Sequence, residues 1–145
     1  MLFQSGEASL RLDVASYEFP AGAVPSDNDD QNWLVIRCTW RDEDGELRKD
    51  SNSCLMTYEL REMTAGLKVV NAGIRDRYDS DFTEPWFKLS AQAEGGAFQV
   101  EVSFFLPNTM DGDDTAELSC SLSRDEMKAL VDELDKLCEK FPDRL

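Results

Sequence analysis

The sequence predicts an α+β protein: an antiparallel, curved β-sheet of about six or seven strands with two helices, the C-terminal helix packed on the apolar face of the sheet. Three observations predict it. Phe98, Val100, Val102, Phe104 and Leu106 fall on every second residue while Gln99, Glu101 and Ser103 take the other side, the period of a half-buried strand. Phe87, Leu89, Ala91 and Ala93 alternate before it, and Ala116, Leu118, Cys120 and Leu122 after it. These segments read as a meander whose apolar face needs a cover. Ser123 to Phe141 then shows helical spacing with one apolar stripe, and so supplies that cover.

In chain order, residues 8–19 open the fold. Leu10, Leu12 and Val14 alternate before the apolar set changes phase to Tyr17 and Phe19, which places a bulge near Ala15-Ser16. A Pro- and Gly-containing segment ends this strand, and Ser26 to Asp30 continue as an acidic loop. Trp33 to Trp40 forms the next strand, with Leu34, Ile36, Cys38 and Trp40 on one side. Arg41 to Gly45 turns the chain, and Glu46 to about Asn52 pairs back as a shorter, polar edge strand.

The first helix starts at Ser53 or Thr57. Met56, Leu60, Met63, Leu67, Val70 and Ile74 share one face. Gly66 weakens the interior by roughly 1 kcal/mol relative to alanine, which predicts fraying beyond it, and Asn71 or Gly73 is the stop. Residues 75–81 read as a charged connection, and Phe82 to Pro85 lead into the strand at 86–93. Glu94-Gly95-Gly96 is a hairpin turn, because glycines supply the positive φ that such turns need. Pro107 to Asp114 is a further acidic loop. The closing helix carries Ser123 and Glu126 at capping-box spacing, and Pro142 follows it as a stop.

A chain of 145 residues fits a single domain, 1–145, with a sizeable core. Fifteen basic against 30 acidic residues give a net charge of −15. Such a field disfavours nucleic acid and anionic membrane surfaces and speeds encounter with basic partners. No apolar run approaches the roughly 20 residues that span a bilayer, and Met1 to Glu7 lack the pattern of a signal peptide; a cytoplasmic location is expected. Cys38, Cys54, Cys120 and Cys138 form no C-x-x-C pair and read as reduced thiols.

The chain contains no histidine, which excludes Ser-His and Cys-His nucleophile pairs and argues against a zinc site. Phosphate-cradling glycine motifs are absent. A calcium loop fails on register: with Gly45 at the sixth position, Trp40 and Ser51 fall where ligating carboxylates belong. No cofactor, no metal and no catalysis are therefore expected. Trp40 continues an apolar strand face and is expected in the core, whereas Trp33 and Trp86 start strands and are expected to be partly exposed.

Asn32-Trp33-Leu34-Val35-Ile36-Arg37 after an acidic loop, a helix after the next hairpin, and Phe82-Thr83-Glu84-Pro85 entering the second half form a familiar order. With the ending Leu122-Ser123, Asp125-Glu126, Leu130, Leu134 and Phe141-Pro142, this order resembles the WapI-family immunity proteins over nearly the whole chain. The resemblance implies an antidote, without catalysis, that binds the toxic domain of a bacterial competition toxin, often a nuclease. A basic toxin domain is then the expected partner, and the acidic surface the expected contact. The residues expected to bind it are Asp27, Asp29 and Asp30; Asp42, Glu43 and Asp44; Asp111, Asp113 and Asp114; with Trp33 and Trp86 as aromatic anchors. Two other readings stand beside this one. A general acidic interaction module or subunit of a larger assembly would bind without salt sensitivity, and an enzyme would need a deep pocket of carboxylates with raised pKa.

Overall fold

The computed structural model describes residues 1–23, 29–109 and 114–144, and of Asp29 the backbone alone. Eight strands and two helices follow one another in the order β1 (Leu2–Ser5), β2 (Ala8–Tyr17), β3 (Trp33–Arg41), β4 (Leu47–Met56), α1 (Thr57–Asn71), β5 (Arg77–Asp79), β6 (Phe87–Glu94), β7 (Ala97–Phe105), β8 (Thr115–Leu122) and α2 (Arg124–Lys140). A short 3-10 helix, Asp29–Asn32, precedes β3.

The class is α+β as expected; the number of layers, which the sequence leaves open, is two, with eight strands where about six or seven were expected. Both are antiparallel meanders of four strands, β1-β2-β3-β4 and β5-β6-β7-β8. Each meander runs directly into a helix, so the chain consists of two successive ββββα units. Their packing is interlocked. The first helix lies against β5 and β6 of the second sheet as well as β4, β1 lies beside β8, and the two helices pack on each other. One core therefore takes Leu10, Leu12, Leu34 and Ile36 from the first sheet, Phe87, Val100 and Phe104 from the second, and Leu60, Met63 and Leu134 from the helices.

Local chemistry accounts for the elements. The phase change in β2 is a bulge: register shifts between Val14 and Ser16 while β3 continues opposite. Gly95 and Gly96 both take positive φ, 58° and 84°, and join the paired residues Glu94 and Ala97 as a two-residue primed turn. At the start of α2, the Ser123 hydroxyl accepts from Glu126 N at 3.1 Å and Glu126 Oε1 accepts from Ser123 N at 3.0 Å, the expected capping box. Met127, Leu130, Val131, Leu134 and Phe141 are buried, with Leu137 and Cys138 half-buried, against β7, β8 and α1.

Several expectations are corrected. Leu2–Ser5 is a strand, with Phe3 buried beside β2. Arg77–Asp79, read as part of a connection, is a short edge strand paired with β6. The edge strand β4 is ten residues long rather than short, because Cys54, Leu55 and Met56 continue it into the core before α1 begins at Thr57. The helix runs on past Gly66 to Asn71, and Ile74 lies beyond it, 74% exposed.

Gly66 has a packing role. A Cβ there would stand 2.3 Å from Tyr78 Cδ1, so the bare backbone lets β5 close on α1. Trp40 is in the core, as expected, at 8% exposure. Cys38, Cys54 and Cys120 are buried, Cys138 is half-buried, and all four are free thiols.

Candidate partner-binding surfaces

Strand β3 separates the acidic clusters. Trp33 begins it and Arg41 ends it, a run of about 27 Å at the usual ~3.4 Å rise per residue. Asp30 is therefore at one end of the molecule and the Asp42–Asp44 turn at the other. Asp27, Asp111 and Asp113 lie outside the described residues, as does the side chain of Asp29.

At the first end, the chain after α2 returns to the start of β3. The Arg144 guanidinium donates to Phe19 O (2.8 Å) and through Nε to Gln31 O (2.9 Å), and it stacks 3.7 Å from the centroid of the Tyr17 ring. The Asn32 side chain exchanges hydrogen bonds with the Arg144 backbone. The exposed Asp30 and half-buried Trp33 are thus carried on a segment tied to residue 144.

At the other end, two of the acidic segments meet. Asp42 is structural: its Oδ1 accepts from Asp44 N (3.0 Å) and Glu46 N (2.9 Å), closing the turn. That leaves Glu43, Asp44 and Glu46 exposed on the tip. Arg48 reaches Glu46 at 3.2 Å and Asp114 at 3.7 Å, which brings the start of β8 beside the β3–β4 turn. Asp50 completes the junction by accepting from Asn108 N (2.8 Å) and Nδ2 (2.7 Å). Asp42–Asp44 and Asp114 therefore share one acidic corner, from which Asp30 is remote.

A second surface was not foreseen. The solvent face of the second sheet is a groove of about 520 Å³. Its floor is small and polar, with Ser103 between Lys88 and Glu117 in one row and Glu101 between Ser90 and Ser119 in the next. Arg77 holds Asp79 through bonds of 2.8 and 2.9 Å, and that guanidinium keeps the Asp79 carboxyl below its ordinary range. Trp86, 40% exposed, lies on the same face beyond Lys88, its ring 5.6 Å from that of Phe105. The signal for this surface was present, since the polar members of three alternating strands had to share a face. The groove is a sheet surface, and its Arg77-paired Asp79 carboxyl is shifted down rather than up.

No helix among the described residues is long and apolar enough to cross a membrane. No curated protein matches the chain. Similar solved structures include WHY3 from Arabidopsis thaliana, at 12% identity over 97% of this chain and 86% of that one with a TM-score of 0.50, and WHY1 from the same plant, at 12% identity over 97% and 88% with a TM-score of 0.46. At that identity the first likeness speaks for the fold alone. A family model described as the immunity protein WapI-like family matches residues 1–142.

Proposed function

The chain belongs to the WapI-like immunity protein family, and from that premise we propose that it binds a basic toxin domain, with nuclease activity, and blocks it stoichiometrically without chemistry. The observation that carries this reading is the family match across nearly all of the chain. The net charge of −15 supports the electrostatic part, because an enzyme that grips phosphate backbones presents a cationic groove that an acidic inhibitor can fill with fast, salt-sensitive association. The proposed contact is the acidic corner, with Glu43, Asp44 and Asp114 and the adjoining Asp111 and Asp113. Trp86 serves as an aromatic anchor on the neighbouring sheet face. Asp30 and Trp33 form a second, separate contact for a partner large enough to span the sheet, and Asp27 and Asp29, their neighbours in sequence, are proposed to bind with them. The proposed place of action is the cytoplasm, where nucleic acid is the toxin's target and not this protein's ligand.

The test is co-expression with the toxin domain encoded beside this gene, followed by purification of the complex at several salt concentrations. Growth rescue with a complex that weakens as salt rises is the expected result. Replacing Glu43, Asp44 and Asp114 together by Asn or Gln should lower affinity about tenfold or more and flatten the salt slope. Rescue by a salt-insensitive complex would move the interface to the aromatic and serine-lined face of the second sheet. Failure to rescue from an active toxin would overturn the reading.

A further inference from the structure

The first sheet presents the opposite charge. On its solvent face Thr39 is paired with Arg11 on one side and Lys49 on the other, and Arg37 and Arg41 stand two residues away along β3 in either direction. Four cations thus surround one threonine, each diagonal neighbour about 8 Å off at ordinary strand spacings. All four are exposed. Arg11 pairs with Asp13 at 3.1 Å; among the described residues no ion pair engages Arg37, Arg41 or Lys49, and Arg41 donates instead to the Gly45 carbonyl. Like charges placed diagonally on a sheet repel. Among the strand residues of this face Asp13, paired with Arg11 and opposite Arg37, is the one carboxylate, so in a chain with 30 acidic residues four cations share a single anion here, which is costly for the free protein.

We propose that this face is a docking site for a short acidic segment of a partner protein, independent of the toxin contact at the acidic corner. Charge complementarity selects an anion. Two features select a polypeptide over a nucleic acid strand. First, the patch is closed at both ends: about 13 Å separates Arg37 from Arg41, Asp13 lies opposite Arg37, and the Asp42–Glu46 turn follows Arg41. A continuous polyanion would run onto carboxylates in either direction. Second, Leu2 and Leu47, 51% and 46% exposed, flank the cations on the two edge strands, Leu2 beside Arg11 and Leu47 beside Arg41. Carboxylates between apolar side chains match that arrangement, and phosphates between sugars do not.

The experiment uses the full chain and a fluorescent 12-residue peptide of alternating Asp and Leu, with a single-stranded oligonucleotide of equal charge as the rival probe. Polarisation at low and moderate salt should show peptide binding that weakens with salt. It should fall at least tenfold when Arg11, Arg37, Arg41 and Lys49 are all changed to Gln, circular dichroism confirming the fold. Leu2→Ser with Leu47→Ser should weaken the peptide at constant salt slope, a change that a purely ionic surface would not show. Equal peptide binding by the fourfold variant overturns the proposal. So does an oligonucleotide that binds more tightly than the peptide through the same cations, and so does wild-type self-association in sedimentation that the fourfold variant loses, since the occupant would then be a second copy.

Discussion

At Gly66 a single missing carbon sets how closely β5 can approach α1. Alanine would improve helix propensity by up to ~1 kcal/mol, but its Cβ would meet the Tyr78 ring at 2.3 Å, and overpacking of this kind costs about 1–3 kcal/mol. Gly66→Ala should therefore lower the urea midpoint at unchanged slope. In a Tyr78→Ala background the same change should become neutral or stabilising, a coupling that a double-mutant cycle measures. The sequence around Gly66 carries only its propensity, because the ring that needs the space comes from β5, whose pairing with β6 leaves no local mark. The thiols carry a second expectation. Burial, with minor help from nearby carboxylates, pushes the Cys38 and Cys54 thiols up to about 12 from 9.0. The unfolded chain then loses these protons first, so stability is intact below pH 9 and declines as pH rises toward 12. Native-state labelling at pH 8 should reach the half-buried Cys138 first and the buried Cys38, Cys54 and Cys120 only on unfolding.

Among the elements, legibility followed periodicity. The bulge in β2, the glycine turn after β6 and the capped helix α2 each leave a local mark that no distant contact has to supply. The strands that escaped notice are those that neighbours create. Of the three residues of β5, Arg77 and Asp79 are charged, and what makes them a strand is pairing with β6 and the inward Tyr78. Likewise β4 turns polar residues inward, with Arg48 and Asp50 satisfied by the β7–β8 connection, so alternation of apolar residues could not reveal its length. Glu59 joins two such elements. It is 2% exposed and accepts from Met56 N at 3.0 Å and from Thr83 N at 2.7 Å, tying the start of α1 to the segment before β6. Glu59→Ala strands two backbone donors and should cost about 3 kcal/mol or more in chemical denaturation, whereas Glu59→Gln keeps one acceptor and should lose less.

For the molecule as a whole, the candidate contacts were only partly legible, because residues about 27 Å apart along β3 look alike in composition. The sequence shows three acidic stretches, but only register shows that Asp114 joins the Asp42–Asp44 turn while Asp30 does not. The two ββββα units also share one core, so neither should fold by itself. Residues 1–74 expressed alone are expected to lack a cooperative unfolding transition by circular dichroism, their inner sheet face having lost its cover.

The return of Arg144 to Phe19 and Gln31, together with the seat of β1 beside β8, has a consequence for synthesis on the ribosome. The contacts that close the structure join its earliest residues to its latest. Local meanders can form as the chain emerges, yet the shared core cannot seal until residues near 144 have cleared the exit tunnel. The protective activity proposed for this protein then begins only when translation of this stretch is finished, and a cell meeting a toxin depends on the pool already made.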